Sequence, residues 1–424
     1  MALQLNSITF DHDPTQSATS ALNIRRNKDF EVPIPEYDVT QPRAPTQQSA
    51  AYAIDATRGQ AVIVRCVFQR APADGPQWHV RATGGGVLGR LDPQAVTFTG
   101  AAVVVTVDMP LVHRRFAAVG RHLPVWHWEY RPSGSSSWQP LVATFHCIYL
   151  LQSVPAQPWT QTFADRHNPW TDLLDHSCVI ADGTTQEMDA AIAHVKAINA
   201  SYGLRYDIVS GAPRYGFVLT GDAFDLTDWI AFVLNGNPPG SPIFCQGTGE
   251  AYLDFEIVNC YDCAASLTLM GKSVGARLDY YFHEPFGFLN FVIPIGRGQC
   301  NNPFYGCTGN DPIRGVDDAT RTRFGNHAYT KLAGQNNFDA CMKQWLSWLS
   351  EIILSVIMFL LWLIILIVTF GTVNRFDLLA RAQGWLVNLQ QPAYEQITID
   401  TNTPAEAAAA GGSPVVQVLD FRVT

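Results

Sequence analysis

The chain has 424 residues, of which 47% are hydrophobic and 15% charged, and its net charge is −9. Such a length exceeds one ordinary core, and so low a charged fraction excludes long disordered stretches. No block of Lys and Arg stands out, so no nucleic-acid partner is expected.

The first residues, Met1 to Asp13, are polar and acidic, without a basic start and an apolar run. This predicts a chain made in the cytoplasm without a signal peptide. Residues 1–49, punctuated by Pro33, Pro35, Pro42 and Pro45, read as an extended N-terminal arm with room for one strand. Residues 50–152 read as an all-β sandwich. The runs Ala61–Phe68, Gln77–Ala82, Ala101–Val107, Val125–Tyr130 and Leu141–Leu150 are rich in Val and aromatics, and Gly/Pro/Ser clusters separate them. Trp126, Trp128 and Trp138 are expected to pack in its core or at its edge.

Residues 153–183, with Pro155, Pro158 and Pro169, read as a linker. A helix is expected from Thr184, with Met188, Ile192, Val195 and Ile198 on one stripe and Glu187 in its first turn. A second helix is expected near Ala223–Leu234. Asn259 is a good N-cap for a third, with Asp262 at the third helical position, an apolar stripe of Ala264, Leu267, Met270 and Val274, and Gly275 as its stop. Leu278–Phe282 and Phe288–Ile295 read as strands. Gly296–Thr320 is a loop too long to be structurally idle. Ala328–Leu332 and Asn337–Cys341 form a hairpin. Ile352–Phe370 is nineteen residues without a charge. As a helix it would span roughly 28 Å, close to the thickness of a bilayer's hydrocarbon core. Trp345 and Trp348 lie on one flank and Arg375 on the other. Residues 344–375 are therefore read as a hydrophobic membrane helix. Residues 376–424 form a C-terminal segment able to return to the preceding domain, with a last strand at Val415–Val423. The fold class expected is multidomain α+β: an N-terminal β-sandwich, a catalytic α+β domain over 184–343, and one transmembrane-type helix.

Nine cysteines cannot all pair within one chain. Cys66, Cys147 and Cys178 are scattered and the other six fall between Cys245 and Cys341, which is unlike a disulfide framework. The cluster points to chemistry, a metal or a local crosslink such as Cys300–Cys307. For zinc, Cys260-x-x-Cys263 would need Cys300 and Cys307, but these stand too far apart for the usual ligand spacing, so no metal and no cofactor is expected.

Cys260 sits at a predicted helix start. There the helix N-terminus and a nearby imidazole would favour the thiolate. A hairpin can bring His327 and Asp339 together across its ladder, though a slip of one residue would turn them to opposite faces. Asp339 would then hold the imidazole in the useful tautomer. The backbone N–H of Cys260 could serve an oxyanion, and Gln246 is the upstream candidate for a second donor.

The order of these residues resembles the transglutaminase-like, papain-like superfamily of cysteine enzymes. The resemblance rests on Cys260-Tyr261-Asp262-Cys263-Ala264, the apolar helix through Met270, Gly275-Ala276-Arg277, then Asn326-His327-Ala328-Tyr329 and Phe338-Asp339-Ala340. It covers roughly residues 184–341. The family's residue before the Cys is usually Gly and here it is Asn259, and 67 residues separate Cys260 from His327. The resemblance implies a Cys260, His327, Asp339 triad acting on a carboxamide or peptide bond through a thioester, as protease, deamidase or transglutaminase. A protein or peptide substrate is then expected. Joined to the apolar segment, this suggests a bacterial effector or toxin that inserts into a membrane of a target cell, with a chaperone or immunity protein covering the helix. The alternatives are a membrane-anchored hydrolase, and a membrane-acting protein with a degenerate enzyme fold.

Overall fold

A computed structural model describes residues 3–10, 21–54, 63–111, 116–159, 168–207, 213–216, 223–237, 243–244, 251–252, 254–283, 292–295, 327–333, 336–344, 416–418 and 422–423. Two compact units emerge. The first comprises Met1–Gln186 with Ser273–Gly275, and the second Glu187–Lys272 with Ala276–Thr424.

The first unit is built on strands β1 (Leu3–Thr9), β2 (Tyr37–Asp38), β3 (Ser49–Ala53), β4 (Ile63–Arg70), β5 (Gln77–Gly84) and β6 (Leu91–Thr97). It continues with β7 (Val104–Pro110), β8 (Gly120–His122), β9 (Val125–Pro132), β10 (Gln139–Phe145) and β11 (Cys147–Leu151). Helix α1 (Thr171–Ile180) closes it, inside the stretch read as a linker. Two four-stranded sheets, in the orders β2-β1-β4-β7 and β10-β9-β5-β6, bury one core between them. Alternation does the sorting. Val64, Cys66 and Phe68 of β4 and Trp78, Val80 and Ala82 of β5 are buried while their neighbours are not. The N-terminal arm is integral to the first sheet, since β1 pairs with β4 from Leu3 to Thr9. A third sheet, β3-β11-β8, has β11 at its centre, and β11 is apolar and buried throughout.

Trp126 and Trp128 are in the core. Trp138 instead carries the Arg81 and Arg131 guanidinium groups over its ring, at 4.2 and 4.9 Å. Gly85 has φ +82, and a Cβ there would strike the Trp126 indole, so only glycine fits the turn.

His146 lies in the same core, 5.0 Å from the Phe10 ring and 5.4 Å from the Trp126 ring between centroids. Trp128 Nε1–H donates to Thr144 Oγ1, which stands 3.0 Å from His146 Nε2. Burial pushes the His146 pKa down to about 3. An unfolded chain takes up this proton below about pH 6.5, whereas the folded one does not until far lower pH. Stability from this group is complete above that pH and is lost as pH falls towards the folded value, at roughly 1.4 kcal/mol per unit. Urea unfolding near pH 7 and near pH 5 should therefore reveal a loss of about 2 kcal/mol that His146→Asn removes. An equal pH dependence in wild type and variant would contradict this account of the core.

The second unit contains α2 (Glu187–Ala200), β12 (Arg205–Tyr206), β13 (Ala223–Phe224), α3 (Leu226–Asp228) and a π-helical turn over Trp229–Leu234. Next come β14 (Ile243–Phe244), β15 (Ala251–Tyr252), β16 (Ile257–Val258), α4 (Cys260–Ser273) and β17 (Leu278–His283). The last elements are β18 (Val292–Pro294), β19 (His327–Leu332), β20 (Asn336–Phe338), β21 (Met342–Gln344), β22 (Val416–Val418) and β23 (Arg422–Val423). The main sheet runs β20-β19-β17-β22, so a strand from the chain's end pairs with β17. Gly271 of α4 lets the helix approach this sheet, because a Cβ there would strike Leu278.

The expected fold class does not hold. The described residues are mostly β, and their four α-helices are short, the longest having 14 residues. Among them no helix is long and apolar enough to cross a membrane. The expectation had weighed apolar helical stripes more than the many two- and three-residue strands, which are too short for an alternating pattern to show. The segment Ile352–Phe370, read as a transmembrane-type helix, lies outside the described residues, as do the loop 296–320, Cys300 and Cys307.

Candidate active site

The site is assembled in the second unit. Parallel pairing of β12 with β16 sets Tyr206 opposite Val258, two residues before Cys260. Asn259 then caps α4. Its Oδ1 accepts from the N–H groups of Tyr261 and Asp262, at 2.9 and 3.2 Å. The Asp262 carboxylate reaches back to the Asn259 N–H, at 3.2 Å, completing a reciprocal capping box. Cys260 is thus the first helical residue, where the N–H has no partner within the helix and the dipole favours negative charge. It is 4% exposed.

Asp262 does more than cap. Fully buried, it also accepts from the backbone N–H groups of Arg214, Tyr215 and Gly216, at 2.8–3.0 Å. It therefore ties segment 213–216 to the helix start. Burial pushes its pKa up to about 6, and these N–H groups oppose the shift. Beside it, Arg214 Nη2 meets Asp207 Oδ2 at 2.8 Å, and both side chains are buried.

The other side of the site is a hairpin. His327 begins β19, facing His283 across the ladder with β17. In the β19–β20 pair Thr330 faces Phe338. Continuing that register puts Cys341 opposite His327, and Asp339 on the same face one step earlier. The side chains follow. His327 Nε2 lies 2.8 Å from Asp339 Oδ2, with the two side chains 0% and 6% exposed. The slip that would have separated them does not occur. The other carboxylate oxygen, Asp339 Oδ1, accepts from the Cys341 N–H and Sγ, both at 3.0 Å.

The two halves meet at Cys260. Its sulfur lies beside the His327 ring, close enough to act on the charge of the imidazole, while Asp339 occupies Nε2. Burial works against a charged imidazole. The Asp339 carboxylate and the Cys260 sulfur outweigh it and hold the His327 pKa up at about 10. That is the charge state reached when the Cys260 proton has passed to the ring. The Tyr206 side chain also lies close to Cys260, and burial, then the sulfur, pushes its hydroxyl well above its usual range.

Cys263, one turn along α4, and Cys341 are both buried, and burial pushes both thiols up. Cys260, Cys263 and Cys341 are unpaired thiols. Gln246 lies outside the described residues. Of the residues singled out from sequence, then, Cys260, His327 and Asp339 come together. Tyr206 and Cys341 join them without having been expected. Cys341 had a readable signal, two residues after Asp339 and so on the same strand face. Tyr206 had none, because its position depends on strand pairing over a long separation.

No protein-family model matches the chain, and no curated protein matches it either.

Proposed function

We propose that this protein is a cysteine-dependent acyl-transfer enzyme related to the transglutaminase-like family, with Cys260 as nucleophile, His327 as proton acceptor and Asp339 as the orienting carboxylate. The reading is carried by one observation: a hydrogen-bonded imidazole–carboxylate pair stands against the sulfur of a cysteine at a helix N-terminus. Each link has a function. Asp339 keeps the proton on Nε2, so Nδ1 presents a lone pair to the thiol. Transfer of that proton gives a thiolate beside an imidazolium, the pair that Asp339 and the helix start stabilise.

The thiolate then attacks a carboxamide or peptide carbonyl carbon. The C=O π electrons move to oxygen, beside the Cys260 N–H and the Tyr206 hydroxyl, a donor where Gln246 had been expected. Collapse expels the amine, which takes the imidazolium proton, and a thioester remains on Cys260. Water as acceptor makes the enzyme a protease or deamidase, and an amine makes it a transglutaminase.

Alkylation kinetics test the nucleophile. At neutral pH iodoacetamide should modify Cys260 before any other cysteine, and His327→Ala should slow that reaction about a hundredfold. Equal rates in wild type and variant would remove the basis for the reading.

A further inference from the structure

Cys341 stands two residues after Asp339, and the proposed chemistry gives it no part. Its backbone is fixed on several sides. Asn199 Nδ2 of α2 donates to the Ala340 carbonyl at 3.0 Å, and the Ile295 N–H donates to the Cys341 carbonyl at 3.0 Å. The Cys341 N–H donates to Asp339 Oδ1 at 3.0 Å. The side chain is fully buried, and its Sγ donates to that same oxygen, also at 3.0 Å. The Cys341 sulfur, a carboxylate oxygen of Asp339 and a ring nitrogen of His327 all lie within 4.8 Å of one another. A thiolate and a carboxylate would repel at such a distance in a buried place, so the proton is on sulfur and points into the carboxylate. Burial pushes this thiol well above its usual range, which keeps it a donor.

We infer that Cys341 is a positioning residue: its S–H, donated to Asp339 Oδ1, sets through that carboxylate how strongly His327 holds its proton. The two carboxylate oxygens share one charge. Oδ2 faces His327 Nε2 at 2.8 Å, and two donors from Cys341 hold Oδ1. Each donor draws charge towards Oδ1 and leaves Oδ2 a weaker base. A weaker base at Oδ2 stabilises the imidazolium less and so leaves it a stronger acid.

The use of this acidity rests on the acyl-transfer reading. Collapse of the tetrahedral adduct needs the imidazolium to give its Nδ1 proton to the leaving amine while the Nε2 proton stays on the ring. An activated ester leaves as a stable anion and needs no such proton. The Cys341 thiol therefore favours amide substrates over activated esters.

Proton NMR on the full-length protein reads the hydrogen bond without any turnover. The His327 Nε2–H resonance, assigned by its loss in His327→Ala, should move downfield in Cys341→Ala, because a carboxylate with one donor fewer draws the ring proton more strongly. Cys341→Ser keeps a donor for the same oxygen and should hold the resonance at or upfield of its wild-type position. This second variant decides the matter where the alanine variant fails to fold. In turnover, Cys341→Ala should lower the ratio of amide to activated-ester acylation roughly tenfold, the worth of one hydrogen bond to a charged group, and Cys341→Ser should restore it. In an Asp339→Ala background Cys341→Ala should change that ratio no further, since its effect passes through the carboxylate. A resonance that stays in place or moves upfield in Cys341→Ala, one that moves downfield in Cys341→Ser, or an equal loss on both substrates would overturn the inference and leave Cys260 as nucleophile. Wild type that acylates with neither substrate would instead remove the acyl-transfer reading, and the resonance alone then decides the role of Cys341.

Discussion

Asp339→Asn is expected to lower acyl transfer by Cys260 about 10⁴-fold while leaving the fold intact. The substitution keeps shape and size, so what it changes is the hydrogen-bond pattern. Asp339 Oδ1 accepts the Cys341 backbone N–H at 3.0 Å, a donor fixed by the hairpin. An amide placed there must turn its oxygen to that N–H, which leaves its NH2 facing His327 Nε2. A donor at Nε2 requires a lone pair on that nitrogen, and the ring proton then moves to Nδ1. In the proposed mechanism Nδ1 is the nitrogen that accepts the thiol proton, and with its own proton it could no longer do so. The measure is turnover of an activated acyl donor by wild type and variant, with circular dichroism to check the fold. A loss below about tenfold would mean that Asp339 does not set the tautomer. Asp339→Ala is the comparator, and it should be no worse than the amide, because it imposes no wrong tautomer.

Asp262→Ala should destabilise the second unit by about 3 kcal/mol or more. The carboxylate accepts from the backbone N–H groups of Arg214, Tyr215, Gly216 and Asn259. Each such group, buried without an acceptor, costs on the order of 1–3 kcal/mol. Their common loss frees segment 213–216 and opens the capping box that places Cys260. Asp262→Asn, which keeps one oxygen acceptor, should cost less. Urea unfolding and the Cys260 alkylation rate should both respond to the alanine variant. A stability change under about 1 kcal/mol would show that segment 213–216 is held by something else.

The residues explain what could be read in advance and what could not. Strands β4 and β5 alternate buried and less buried side chains along their lengths, and β9 does so over its first half, and such periods are legible. β6 was missed because Leu91–Thr97 carries Asp92 and Pro93. Both are tolerated because this strand lies at the edge of its sheet. The arm's strand β1 could be guessed as a strand but not placed, since its partner β4 lies more than fifty residues on. Helix α1 was hidden by the prolines before it.

The grouping of Cys260, His327 and Asp339 was legible for a different reason. The Asn259–Asp262 cap is local, and His327 and Asp339 stand an even number of residues apart in one hairpin, so a regular register puts them on one face. Tyr206, Arg214 and Asp207 could not be seen, because the pairing of β12 with β16 and the reach of Asp262 join segments about fifty residues apart.

The central claim is that Cys260 forms a thioester with help from His327. Intact-mass measurement after mixing the protein with an activated acetyl ester tests it directly. The account predicts a single acetyl group, mapped to Cys260, released by hydroxylamine, and formed at a rate that His327→Ala lowers about a hundredfold. An acetyl group found equally on other residues, or formed on Cys260 at the same rate without His327, would contradict it.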